Sequence, residues 1–151
     1  MVNDLILATA LSQVGIMEVP GEKNNPKIIE YAQFLGFDWY QNDEISWCGV
    51  FAGWVVANCG GDIPEFRDYT SAATARRWLE MGEERSVEEA QPGMVCVFSR
   101  GNDPKYGHVG FFCRWDQERD YVYVLGGNQG RPGGINISPY PRKKLLGIRE
   151  I

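Results

Sequence analysis

The stretch that most constrains this chain is Ser46-Trp47-Cys48-Gly49-Val50-Phe51-Ala52-Gly53-Trp54. Val50, Phe51, Trp54, Val55 and Asn58 follow one another at helical spacing, Ser46 is placed to cap the run, and Gly60-Gly61 ends it. Cys48 therefore sits in the first turn, among backbone N–H groups with no helical partner and at the positive end of the dipole. That environment stabilises a thiolate and lowers the thiol pKa from about 8.5 towards neutrality. The only histidine, His108, opens a run of strand character, Tyr106-Gly107-His108-Val109-Gly110-Phe111-Phe112. A cysteine on a helix and a histidine on a distant strand is the pattern of a cysteine hydrolase, provided the fold brings the two together.

Composition limits the alternatives. The 151 residues suffice for one domain, taken as residues 1–151, and 44% hydrophobic with 13% aromatic content describes a folded core. A net charge of −5 with no basic cluster argues against a nucleic-acid partner or a membrane surface. No stretch is long enough to span a bilayer. Residues 1–7 lack a basic n-region and a cleavage site, so no signal peptide is expected. Of the four cysteines, Cys59, Cys96 and Cys113 lie in apolar runs and are expected as reduced core thiols. With one histidine and no C-x-x-C pair, neither a metal nor any other cofactor is expected.

Along the chain, residues 3–14 predict a first helix stopped by Gly15, and Pro26 behind Asn25 opens a second that Gly36 closes. Residues 37–45 are polar and aromatic without periodicity. They read equally as a loop lining a substrate groove and as a solvated loop with an aromatic anchor. Thr70 or Ser71 is placed to cap a fourth helix, with Ala72, Ala75, Trp78 and Leu79 inward and Gly82 at its end. The acidic run 83–89 reads as a solvated connector. Beyond Pro92 come strands over 94–98, 108–114, 121–125, 135–138 and 146–150. Helices first and strands afterwards predict an α+β domain in which an antiparallel meander packs on the helices.

In such a domain Cys48 would attack a carbonyl carbon while His108 holds the thiol proton and later delivers it to a leaving amine. The second imidazole nitrogen needs a polar partner to fix its tautomer. The strand ending in Gly126-Gly127-Asn128-Gln129 supplies Asn128, which a hairpin with the histidine strand returns beside His108. The backbone N–H of Cys48 is one oxyanion donor, and Gln41, Asn42 or Gln13 is open as the second. Trp47, Gln41, Asn42 and Gln129 are the expected substrate contacts.

At these residues the sequence resembles the NlpC/P60 and CHAP group of papain-like cysteine peptidases, and within it a phage- and prophage-associated branch. The matching pieces are Gln13-Val14-Gly15, Glu18-Val19-Pro20-Gly21, Asn25-Pro26-Lys27-Ile28, Asp43-Glu44 ahead of Trp47-Cys48, Pro92-Gly93, Gly107-His108-Val109-Gly110-Phe111 and Gly126-Gly127-Asn128-Gln129. One departure is Met94 after Pro92-Gly93, where such families commonly carry aspartate. The resemblance implies helices packed on a central antiparallel sheet, with Cys48 as nucleophile, His108 as base and acid, and Asn128 as orienter. It implies cleavage of amide bonds in bacterial peptidoglycan by a lysin, tail-associated hydrolase or antibacterial effector acting in the periplasm, at the wall or from a virion. A holin, a secretion machine or an immunity protein is the kind of partner such a role brings, and the catalytic domain is expected to be a monomer. Alternatives from other classes are an inactive wall-binding or virion structural module, and a cysteine peptidase or amidase acting on substrates outside the wall.

Overall fold

The computed structural model describes residues 2–20, 24–37, 47–65 and 75–151. Helix α1 (Val2–Leu11) is followed by α2 (Pro26–Phe34), with Pro26 in the first turn and Asn25 as N-cap, its side chain accepting from the Lys27 N–H at 3.0 Å. Helix α3 (Cys48–Asn58) is the centre of the helical layer. Every residue from Cys48 to Gly53 is buried, as are Val55 and Val56. A helix apolar on all sides is stable only when covered all round, and α3 is in contact with α1, α2 and two strands. The expected fourth helix is a 3-10 helix, Ala75–Glu80, which buries Ala75 and Trp78. Its expected start at Thr70, Ser71 and Ala72 lies outside the described residues.

Six strands follow: β1 (Glu83–Arg85), β2 (Val95–Ser99), β3 (Gly107–Asp116), β4 (Tyr121–Gln129), β5 (Gly134–Pro141) and β6 (Leu145–Glu150). They form one antiparallel sheet in the order β1-β6-β2-β3-β4-β5. The meander β2 to β5 matches the sequence reading, and β6 then returns to the other side of β2. The acidic run is more than a connector, because Glu83–Arg85 pairs with β6 and Arg85 bridges Glu150 at 2.8 Å. Strand β5 reaches past Ser138 through Pro139 and Pro141. Proline is tolerated there because β5 is an edge strand of the sheet, and the short bridge on its outer side, Met17–Gly134, lies at its other end.

Apolar side chains gather on both faces of the sheet. On one face Val95, Val97, Val109, Phe111 and Leu125 meet the helices. On the other, Cys96, Phe98, Phe112, Val122, Val124 and Ile148 form a second cluster, against which Tyr140 and Leu145 pack. Leu145 pairs with Phe98, and Tyr140, near the end of β5, stacks on the same phenylalanine.

At Gly127 the sheet packs closely against the start of α3 and the Trp47 before it. A Cβ there would lie 2.6 Å from Trp47 Cζ3 and 2.9 Å from Phe51 Cβ. Gly127→Ala is therefore expected to overpack this junction and cost about 1–3 kcal/mol. Urea unfolding measures it, and an unchanged midpoint would contradict the close packing.

Candidate active site

The first residue of α3 is the thiol. Trp47 occupies the N-cap position expected for Ser46, its C=O accepting from the Phe51 N–H at 2.9 Å and its side chain making no cap bond. Ser46 itself lies outside the described residues. The N–H groups of Cys48, Gly49 and Val50 thus lack intrahelical acceptors, which leaves the helix start positively polarised around Cys48.

The Cys48 thiol is acted on by the His108 imidazole and by the Val109 N–H, both brought to it by β3. Burial pushes this thiol up, but the bond from His108, the charge of the imidazole, the Val109 N–H and the Arg100 guanidinium outweigh it. The result is a fall from the ordinary 9.0 to about 7. The helix and the sheet therefore bring together the two groups that the sequence keeps sixty residues apart.

The other face of the imidazole problem is solved by Gln129. His108 Nε2 lies 2.9 Å from Gln129 Oε1, and both residues are buried. The direction of the Gln129 amide is fixed by its other end, since Nε2 donates to the Asn136 carbonyl at 2.7 Å and the Val124 carbonyl at 3.3 Å. Carbonyl oxygens only accept, so Oε1 is the atom presented to the imidazole. His108 Nε2 must then carry a proton, which leaves Nδ1 as the nitrogen for the thiol. Asn136 completes the support, its Oδ1 accepting from Gln129 Nε2 at 2.9 Å and its Nδ2 donating to Gln129 O at 3.0 Å.

A CHAP domain model matches residues 39–128. The chain belongs to the CHAP domain family. Among solved structures it is similar to a protein from Staphylococcus aureus subsp. aureus Mu50, described as similar to a lipoprotein of the NLP/P60 family. The TM-score is 0.55 at 21% identity, over 98% of this chain and 41% of that one. At this identity the likeness concerns the fold, and this chain spans 41% of that protein's length. No curated protein matches the sequence. CHAP domains belong to a family of cell-wall peptidases and amidases.

Within the CHAP site, the place expected for Asn128 is taken by Gln129. The β4–β5 register shifts between Gly126 and Gln129, and Asn128 takes a φ of +57° at that irregularity. A bulge moves the alternation of side chains by one position, so the residue after Asn128 faces the histidine. Asn128 Oδ1 instead lies at the Gly133 turn, 2.5 Å from where a Cβ on Gly133 would be. Gln129 is correspondingly an internal partner of His108, with 2% exposure, and not the substrate contact expected of it. Trp47 is not a substrate contact either. It is fully buried, and its indole N–H donates to Glu18 Oε1 at 2.8 Å. Gln13, one of three open choices for an oxyanion donor, has its amide engaged by Tyr31 at 2.6 Å and Ser12 at 3.0 Å. Gln41 and Asn42, together with Asp43 and Glu44, lie outside the described residues.

Two residues of the site were not found from the sequence. Glu18 accepts from Trp47 and, through Oε2, from the Gly133 N–H at 3.2 Å, tying the start of α3 to the turn after β4. Tyr140, near the end of β5, lies over the imidazole and donates its hydroxyl to Gln129 Oε1 at 3.1 Å. The remaining cysteines supply a contrast. All four are unpaired, and burial pushes the Cys96 and Cys113 thiols up, so of these three only Cys48 is brought down. Among the described residues, no group of three or more His, Cys, Asp or Glu is placed to hold a metal ion, and no helix is long and apolar enough to cross a membrane.

Alkylation of Cys48 by iodoacetamide is expected to show an apparent midpoint at about pH 7, a property of the thiol and imidazole pair. His108→Ala removes two of the lowering contacts and should raise that midpoint by about 1–3 units. An unmoved midpoint would contradict the pairing.

Proposed function

We propose that this CHAP domain is a cysteine amidohydrolase or endopeptidase that cleaves amide bonds of bacterial peptidoglycan. The observation that carries the reading is the convergence of Cys48, His108 and Gln129, with the one thiol at a helix start held at about 7. Membership of a family of cell-wall hydrolases supports the substrate class. The role includes delivery to the wall as a lysin, a tail-associated hydrolase or an antibacterial effector.

The geometry supports the following course of reaction. The Cys48 thiol passes its proton to His108 Nδ1, and the sulfur attacks the scissile carbonyl carbon. Charge develops on the carbonyl oxygen, and the Cys48 N–H, unpaired within the helix, is positioned as one donor to it. His108 Nδ1 returns the proton to the amine, the C–N bond breaks, and a thioester on Cys48 remains. His108, neutral again, takes a proton from water as the water attacks the thioester. The carboxylic product leaves and the thiol is restored. Throughout, the Nε2–H of His108 stays on Gln129 Oε1, so the ring turns over one proton at Nδ1 alone.

Purified sacculi test the proposal. The wild-type protein is expected to clear them and release fragments with new amino and carboxyl ends, read by mass spectrometry. Cys48→Ala is expected to abolish release with an unchanged thermal melt. Equal release by mutant and wild type, or none by either, would overturn the reading.

A further inference from the structure

The face of the imidazole is covered by a residue that the reaction above does not use. Tyr140 stacks on His108 with ring centroids 4.9 Å apart and planes 22° from parallel, and on its neighbour Phe98 at 4.9 Å and 26°. Phe98 and His108 are cross-strand partners in β2 and β3. One tyrosine from β5 therefore lies across both members of the pair. Its hydroxyl donates to the same Gln129 oxygen that holds His108 Nε2. Two contacts from one side chain thus converge on the imidazole, one on its face and one through its partner.

We propose that Tyr140 is a positioning residue for the proposed hydrolysis: its ring is the platform that holds the His108 plane and favours the imidazolium, and its hydroxyl anchors that platform to Gln129. An aromatic face attracts a cation placed over it, so stacking is stronger for the charged imidazole than for the neutral one. Favouring the imidazolium favours the thiolate that accompanies it. The hydroxyl is suited to a permanent donor role because burial, and next the charge of Cys48, push it well above the usual tyrosine range, so it keeps its proton. Gln129 Oε1 has two lone pairs, and His108 and Tyr140 use both. Among the described residues, the charged and titratable groups acting at this point are Cys48 from α3, His108 from β3, Tyr140 from β5 and Arg100 from the turn after β2.

The two contacts are separable. Tyr140→Phe keeps the ring and drops the hydroxyl, whereas Tyr140→Leu drops both. In Tyr140→Leu the iodoacetamide midpoint of Cys48 is expected to rise by about 0.5–1 unit, with kcat on sacculus-derived peptides falling about tenfold at a KM within about threefold of wild type. Tyr140→Phe, which keeps the ring and loses the anchor, is expected to fall between wild type and Tyr140→Leu, with the midpoint up by less than about 0.5 unit and kcat down about threefold. Should Tyr140→Leu fail to melt cooperatively, replacing the Tyr140 ring by a fluorinated phenylalanine preserves the shape without an electron-rich face, and the same upward shift is expected. A wild-type midpoint near 7 that none of these changes moves would overturn the role of Tyr140 alone. A wild-type midpoint at the ordinary thiol value would overturn the underlying Cys48–His108 reading, and this inference with it.

Discussion

The direction of one buried amide decides what the site can do. Gln129 has its nitrogen end bound by two main-chain carbonyls and its oxygen end against His108 and Tyr140. Reversing it would turn amide oxygen towards the Val124 and Asn136 carbonyls, which only accept, and would strip both of their donor. Each buried group left unsatisfied costs about 1–3 kcal/mol, so several lost at once make the reversed state inaccessible. The histidine tautomer is thereby set by the backbone of β4 and β5, one step removed from the imidazole.

The thiol shows the same dependence of chemistry on packing. Burial alone drives Cys96 and Cys113 away from ionisation, and it acts on Cys48 in the same direction. What differs is position: Cys48 begins a helix and faces an imidazole, a backbone N–H and the charge of Arg100. Holding that position is the work of the surrounding clamp. Trp47, next to the thiol, is fixed by Glu18 at its nitrogen and by Gly127 against its ring. The first of these ties comes from the segment after α1, which pairs with the start of β5 through the Met17–Gly134 bridge and the Glu18 N–H to Gly133 O bond of 2.8 Å.

The places of Cys48 at the start of a helix and of His108 at the start of a strand were legible in the sequence because each signal is local: a helical period beginning at a cysteine, and a lone histidine opening a β-branched and aromatic run. The α+β order was legible for the same reason, in the change of composition after Pro92. Asn128 and Gln129 could not be told apart, because the choice depends on the parity of a strand and one bulge inverts parity. Trp47 beside a nucleophile reads as a groove wall, and only the carboxylate of Glu18, distant in sequence, makes it a sealed core residue. Tyr140 lies beyond the strand expected over 135–138, because β5 runs on through Pro139 and Pro141, which an edge strand accommodates. Of the fourth helix that apolar spacing predicts up to Gly82, Ala75–Glu80 is a 3-10 helix that buries Ala75 and Trp78, leaves Leu79 half-buried, and follows an Ala72 outside the described residues.

Because the protein has a single histidine, its imidazole nitrogens can be observed without ambiguity. Nitrogen-15 NMR of that ring, at a pH alkaline enough to leave it neutral, tests the account most directly. One fixed tautomer is predicted, with Nδ1 unprotonated and a Nε2–H proton protected from solvent exchange until Gln129 is replaced by alanine. A proton on Nδ1, or the averaged signals of a ring exchanging freely between tautomers, would contradict it.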